Sequence, residues 1–136
     1  MEALASSPVP VALCLGGMDP SGGAGLLRDA CTCQELGVHA MGVSLAETVQ
    51  NGLGCRRVAP PRLDPAEQLA ALSVHLTGTW GVKVGLCALE PEALQRLAQT
   101  LADLAPPVRI WDPILAPSLG PPFHDVQELL EMAGIL

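Results

Sequence analysis

Gly16-Gly17-Met18-Asp19-Pro20-Ser21-Gly22-Gly23-Ala24-Gly25 joins a short apolar run to a helix-spaced one, and its reading decides the fold. Before it, residues 11–15 are apolar and short enough for a buried strand. After it, residues 26–36 place Leu26, Leu27, Ala30 and Cys33 at helical spacing, with Gly37 as the C-terminal cap. The first unit is therefore strand, glycine-rich turn, helix. Glycine tolerates positive φ and leaves room for a ligand near the backbone. The amides of residues 22–25 are expected to point out of the helix N-terminus, where the helix dipole favours electron-rich groups. The turn is not a Walker A loop, because Gly23 follows Gly22 where Lys and Ser/Thr would stand. It does not fit the GxGxxG dinucleotide pattern either. On spacing alone, it reads as a ligand wall or as a tight strand-to-helix turn.

The pattern continues outward. Residues 40–46 form a second apolar run that ends in the polar stretch 47–52. Asp64 is placed to cap a helix whose first position is Pro65, running to about residue 76 with Leu69, Leu72 and Leu76 on one stripe. Residues 80–84 are a third strand, stopped by Gly85. Residues 91–104 are an amphipathic helix through Leu94, Leu97, Leu101 and Leu104, ended by Pro106-Pro107. Residues 108–111 are a fourth strand leading to Asp112-Pro113, and residues 125–133 a last helix with Gly134 as cap. Alternating strands and helices imply βαβ units: an α/β domain with a mostly parallel sheet and helices on both faces. Residues 1–10 read as a flexible lead-in and 11–136 as the domain. Gly134-Ile135-Leu136 looks like the opening of another strand, so the domain is expected to be truncated.

Composition excludes several function classes. The chain has 136 residues, 49% of them hydrophobic and 15% charged, enough to bury a core. With no Tyr, one Phe and two Trp, it has little to stack on nucleic-acid bases. The net charge of −7 opposes a phosphate backbone, so no nucleic-acid partner is expected. No run is long enough for a membrane span, and the first ten residues do not read as a signal peptide. The five cysteines form no zinc-like cluster and are expected to be reduced thiols of a cytoplasmic protein.

In open parallel sheets, ligands sit at the carboxyl ends of the strands. The residues expected there are Gly16, Gly17 and Asp19 with the Ser-Gly-Gly turn, Gln50 and Asn51, Gly85 and Leu86, and Asp112. Asp19-Pro20 and Asp112-Pro113 repeat one device, in which Pro pushes the Asp out of helical geometry. Such an Asp can hold metal-bound waters or accept a proton, or it can simply close a turn. Asp64-Pro65 reads as purely structural. Gln50 can donate and accept side by side, which suits an aminopyrimidine edge, and the pair Gln50-Asn51 can also be a polar turn. Lys83 lies within a strand and reads as a snorkelling or structurally paired side chain. No Ser/His/Asp or Cys/His catalytic arrangement can be argued, and no metal ligand set is assigned.

Taken in order, Asp19 to Gly25, Asp29, Leu36-Gly37, Gln50-Asn51, Lys83-Val84-Gly85-Leu86 and Asp112-Pro113-Ile114-Leu115 resemble the hydroxymethylpyrimidine/phosphomethylpyrimidine kinases of thiamine biosynthesis. The resemblance covers residues 11–125 and implies a ribokinase-like fold, of which this chain is the N-terminal, substrate-binding half. It implies phosphate transfer from ATP, with Mg²⁺, to the pyrimidine's hydroxymethyl group and then to the monophosphate. It places the pyrimidine against Gly17, Asp19, Ala24, Asp29, Gln50, Leu86 and Ile114, with Asp112 near the phosphates and metal. It also implies a second half carrying a Gly-Thr-Gly-type anion hole and the catalytic base. No catalytic residue is therefore assigned within this chain, which is expected to be inactive alone. A second polypeptide or a further copy is an expected partner. Ser118-Leu119-Gly120 stands where the family commonly has Lys-Ser-Gly, Met18 where a small hydroxyl residue is usual, and Leu86 where Met is usual. Two other readings stay open: a non-catalytic pyrimidine-binding module, and a pyridoxal-kinase-like enzyme.

Overall fold

The computed structural model describes residues 8–136; most of the expected flexible lead-in lies outside the described residues. Five strands and four α-helices follow in the order β1 (Val11–Met18), α1 (Gly25–Glu35), β2 (His39–Asn51), β3 (Gly54–Ala59), α2 (Pro65–Leu72), β4 (Trp80–Val84), α3 (Pro91–Leu104), β5 (Arg109–Trp111) and α4 (Val126–Ile135). The sheet order is β3-β2-β1-β4-β5. β1 runs parallel to β2 and β4, β4 parallel to β5, and β2 antiparallel to β3. The expected α/β architecture with a mostly parallel sheet is present.

Side chains alternate across a strand, and this divides the sheet into two faces. Leu13 and Leu15 of β1, Val43 and Leu45 of β2 and Val82 and Val84 of β4 point into the main core. There they meet Leu69 of α2, Leu94, Leu97 and Leu101 of α3 and Met132 of α4. The opposite face is covered by α1, whose buried Leu26 lies over Gly42 of β2. Capping follows the sequence closely. Asp64 accepts from the Ala66 amide with Pro65 at the first position of α2. At the end of α1, Gly37 (φ 71°) donates to Gln34 and Val38 to Cys33, the two bonds of a Schellman close.

Three expectations are corrected. The polar stretch 47–51 is not a loop: it continues β2, which pairs with the unanticipated β3 in a hairpin. Asn51 turns that hairpin by accepting the Leu53 amide on its side chain at 2.8 Å. Helix α2 stops at Leu72, and a 3₁₀ turn over Ser73–His75 completes the segment. Gly134 is not a cap and Ile135 does not open a strand, because α4 runs through both. An Asp125–Glu128 capping box starts that helix, and nothing in Gly134-Ile135 is strong enough to break it.

Candidate functional site

The carboxyl ends of β1, β2, β4 and β5 surround one cavity of about 490 Å³. Gly17, Asp19, Ala24 and Asp29 line it from the turn and α1. Gln50 lines it from β2, Leu86 from beyond β4, and Asp112 and Ile114 from beyond β5. All eight residues singled out in the sequence thus meet around one space, although they span nearly a hundred residues of chain.

Local irregularities aim two of them. The β1–β2 register shifts between Gly16 and Gly17, and the β2–β3 register shifts between Val49 and Gln50. Such bulges bend a strand and redirect a side chain. Beyond the first shift the Leu86 side chain packs close over Gly17, where an added Cβ would stand 3.0 Å from Leu86 Cδ2. Gly16 faces Gly85, whose amide donates to the Leu15 carbonyl at 2.7 Å, so β1 and the start of the β4 loop run close together.

Asp19 is the anchor of the glycine-rich turn. It is 4% exposed, and Oδ1 accepts from the Ser21 amide at 2.8 Å and the Ser21 hydroxyl at 2.7 Å. Oδ2 accepts from the Ala24 amide at 3.0 Å. Burial works to raise its pKa. The Ser21 hydroxyl and amide, the Gln50 side chain and the Ala24 amide outweigh burial and hold the carboxyl below its ordinary value. The expectation of outward-facing amides is therefore corrected in part. Ala24 donates to Asp19 Oδ2 and Gly22 to the Asp19 carbonyl, so two of the four amides are spent within the turn.

Lys83, read from sequence as a mere structural lysine, reaches the cavity. Its Nζ lies 2.7 and 2.9 Å from the two Asp29 oxygens and 3.8 Å from Asp112 Oδ2. It links β4, α1 and the segment after β5. Its regular position opposite Cys14 and Ile110 gives no sequence signal for this. Beneath it, burial first, then the neighbouring Cys33 and Asp29, push the Cys14 thiol up to about 12, against the opposing effect of Lys83. Cys14 is thus a protonated core residue. The sequence reading also missed the β2–β3 hairpin as one wall. Thr48 lines the cavity and donates to the Met18 carbonyl at 2.8 Å, and the Cys55 amide donates to the Leu119 carbonyl at 3.3 Å. The hairpin and the segment after β5 therefore meet across the cavity. Among the described residues, no group of three or more His, Cys, Asp or Glu side chains is placed to hold a metal ion, and no helix is long and apolar enough to cross a membrane.

A mostly parallel α/β sheet with a cavity at its carboxyl ends, walled by a glycine-rich turn and a β-hairpin, is the architecture of the ribokinase-like fold. The profile of the phosphomethylpyrimidine kinase family matches residues 19–133, and the chain belongs to that family. It is 35% identical over 114 residues to the hydroxymethylpyrimidine/phosphomethylpyrimidine kinase of Synechococcus elongatus, covering 82% of this chain and 42% of that protein. The crystal structure of phosphomethylpyrimidine kinase from Clostridium difficile superposes with a TM-score of 0.74 at 27% identity, over 90% of this chain and 53% of that one. A pyridoxal kinase from Staphylococcus aureus, solved with AMP-PCP and pyridoxal, gives a TM-score of 0.61 at 27% identity, over 76% of this chain and 38% of that one. The chain spans about half the length of the curated relatives it matches.

Proposed function

We propose that this chain is the pyrimidine-binding half of a kinase that phosphorylates 4-amino-5-hydroxymethyl-2-methylpyrimidine and its monophosphate. One observation carries the reading: Gln50 and the buried Asp19 line the same cavity, together with the apolar Leu86 and Ile114. A carboxylate only accepts, whereas the Gln50 amide can donate and accept side by side. In this proposal the Gln50 carbonyl accepts from the exocyclic amine of an aminopyrimidine. Leu86, packed over Gly17, and Ile114 supply apolar surface for the ring. Gly17, Asp19, Ala24, Asp29, Gln50, Leu86 and Ile114 are the substrate-contacting residues in this proposal.

Asp112 is the residue proposed to face the phosphates and their metal. A magnesium ion keeps several waters and needs only one or two carboxylates beside the nucleotide's phosphates. Asp112, 53% exposed at its side chain and touched by Lys83 on one oxygen, suits that arrangement. Magnesium would neutralise charge on the transferring phosphoryl group. ATP would be held chiefly by a second half, from continuing chain or from a partner polypeptide, because the chain spans about half of its relatives. Phosphoryl transfer depends on positioning and electrostatic stabilisation, so the half-site alone should turn over little substrate.

The likeness to a pyridoxal kinase solved with pyridoxal favours a second reading, in which the cavity takes that heteroaromatic alcohol. A turnover assay of residues 1–136 with MgATP and each alcohol tests both. Negligible product from either is expected. Robust phosphorylation of either alcohol would contradict the half-site claim, and robust pyridoxal phosphorylation would also replace the substrate assignment.

A further inference from the structure

The charged side chains lining the cavity are Asp19, Arg28, Asp29, Lys83 and Asp112. Asp19 is occupied by its own turn, and Lys83 is held by Asp29 with Asp112 close by. Arg28 alone among the lining cations has no carboxylate within ion-pair distance among the described residues. It sits on α1 directly before Asp29. A step of one residue turns a helix by about 100°. Asp29 reaches inward to Lys83, and exposed Arg28 therefore stands at the rim of the same space.

We propose that Arg28 is the phosphate contact of this cavity and lets it hold the monophosphate ester of its alcohol ligand. The inference rests on the pyrimidine-site reading above. Three carboxylates line the cavity, and the whole chain carries a net charge of −7, so nothing at long range draws in a phosphate dianion. The Gly22 and Ala24 amides are already bonded within the turn. Facing three carboxylates, a phosphate dianion calls for a local side-chain cation beside any remaining turn amide, and a free guanidinium matches phosphate oxygens with paired donors. The alcohol, being uncharged at that end, does not need Arg28. Arg28 thus separates the two ligands by charge while Gln50 reads the ring they share.

Calorimetric titration of the full chain with hydroxymethylpyrimidine and with its monophosphate, for wild type, Arg28→Gln and Arg28→Lys, tests this. Arg28→Gln is expected to weaken the monophosphate by about tenfold, in line with one charge-assisted contact at an exposed rim, and to leave the alcohol within about twofold. Arg28→Lys should recover part of the loss, and added salt should weaken only the ester. Equal weakening of both ligands, or no change in either, would overturn the role of Arg28. The same outcome for AMP-PCP in place of the ester would assign Arg28 to the nucleotide and also overturn it. Failure of wild type to bind the alcohol would instead overturn the pyrimidine reading, while selective loss of ester binding in Arg28→Gln would still support the phosphate contact.

Discussion

Lys83 on β4 donates to both carboxylate oxygens of Asp29 on α1, at 2.7 and 2.9 Å, and so ties the helix to the sheet beneath the cavity. Both side chains are less than one-third exposed. Lys83→Met would leave Asp29 without its cation in a half-buried place, at an expected stability loss of about 1–2 kcal/mol, between the exposed and buried cases. The double variant Lys83→Met/Asp29→Asn should lose less than the sum of the single changes, by about 0.5 kcal/mol or more in urea unfolding. Strict additivity would show that the pair contributes no coupling.

Gly25 and Gly22 should respond differently to alanine. Both have positive φ, 60° and 72°. A Cβ on Gly25 would run into the Gly17 carbonyl oxygen, whereas one on Gly22 meets nothing within 4 Å. Gly22→Ala is expected to cost about 1 kcal/mol, the conformational penalty alone. Gly25→Ala should cost at least about twice that, because backbone must also shift. Equal losses in chemical denaturation would show that the close approach of Gly17 and Gly25 does not constrain the turn.

The buried Asp19 and the helix-capping Asp64 both sit below the ordinary carboxyl value of 3.8 in the folded chain. For Asp64 the Ala66 amide is the largest influence; burial opposes it and the Arg96 side chain supports it. A carboxyl depressed on folding stabilises fully above 3.8 and loses that contribution as pH falls through its lower folded value. The stability gap between wild type and Asp19→Asn should therefore stay constant above about pH 5 and narrow in acid. A gap that widens on acidification would contradict the ionised carboxylate at the centre of the turn.

The thiols should divide by burial. Cys31 is exposed, whereas Cys14 is buried with its pKa pushed up to about 12, and burial raises that of Cys87. Thiolate is the reactive form. Iodoacetamide followed by peptide mass spectrometry should label Cys31 in the native chain and reach Cys14 and Cys87 only after unfolding. Native labelling of Cys14 would show that the packing between β1 and α1 opens.

How much of this was legible in the sequence depended on whether a residue's neighbours were local. The turn, the Asp64–Pro65 cap, the Gly37 close of α1 and the leucine stripe of α3 were readable because each is decided within a few residues. The hairpin was missed although Asn51-Gly52 is a turn signal. Glu47, Gln50 and Asn51 looked like a loop, and Arg56 and Arg57 disguised β3. Their charges suit an exposed edge strand. The end of α4 was misread because a helix continues through glycine when its capping box and remaining bonds suffice. Asp19, Gln50 and Asp112 were found as strand-end residues. The Lys83–Asp29 pair, 54 residues apart in sequence, required the folded sheet to bring β4 under α1.

Calorimetric titration of hydroxymethylpyrimidine into wild type and Gln50→Ala tests the central claim most directly. The account predicts saturable one-to-one binding by wild type, at least tenfold weaker in Gln50→Ala, since an unpaired amine on the ligand would lose a bond worth about 1.5 kcal/mol. Absence of binding to folded wild type, or unchanged affinity in Gln50→Ala, would contradict it.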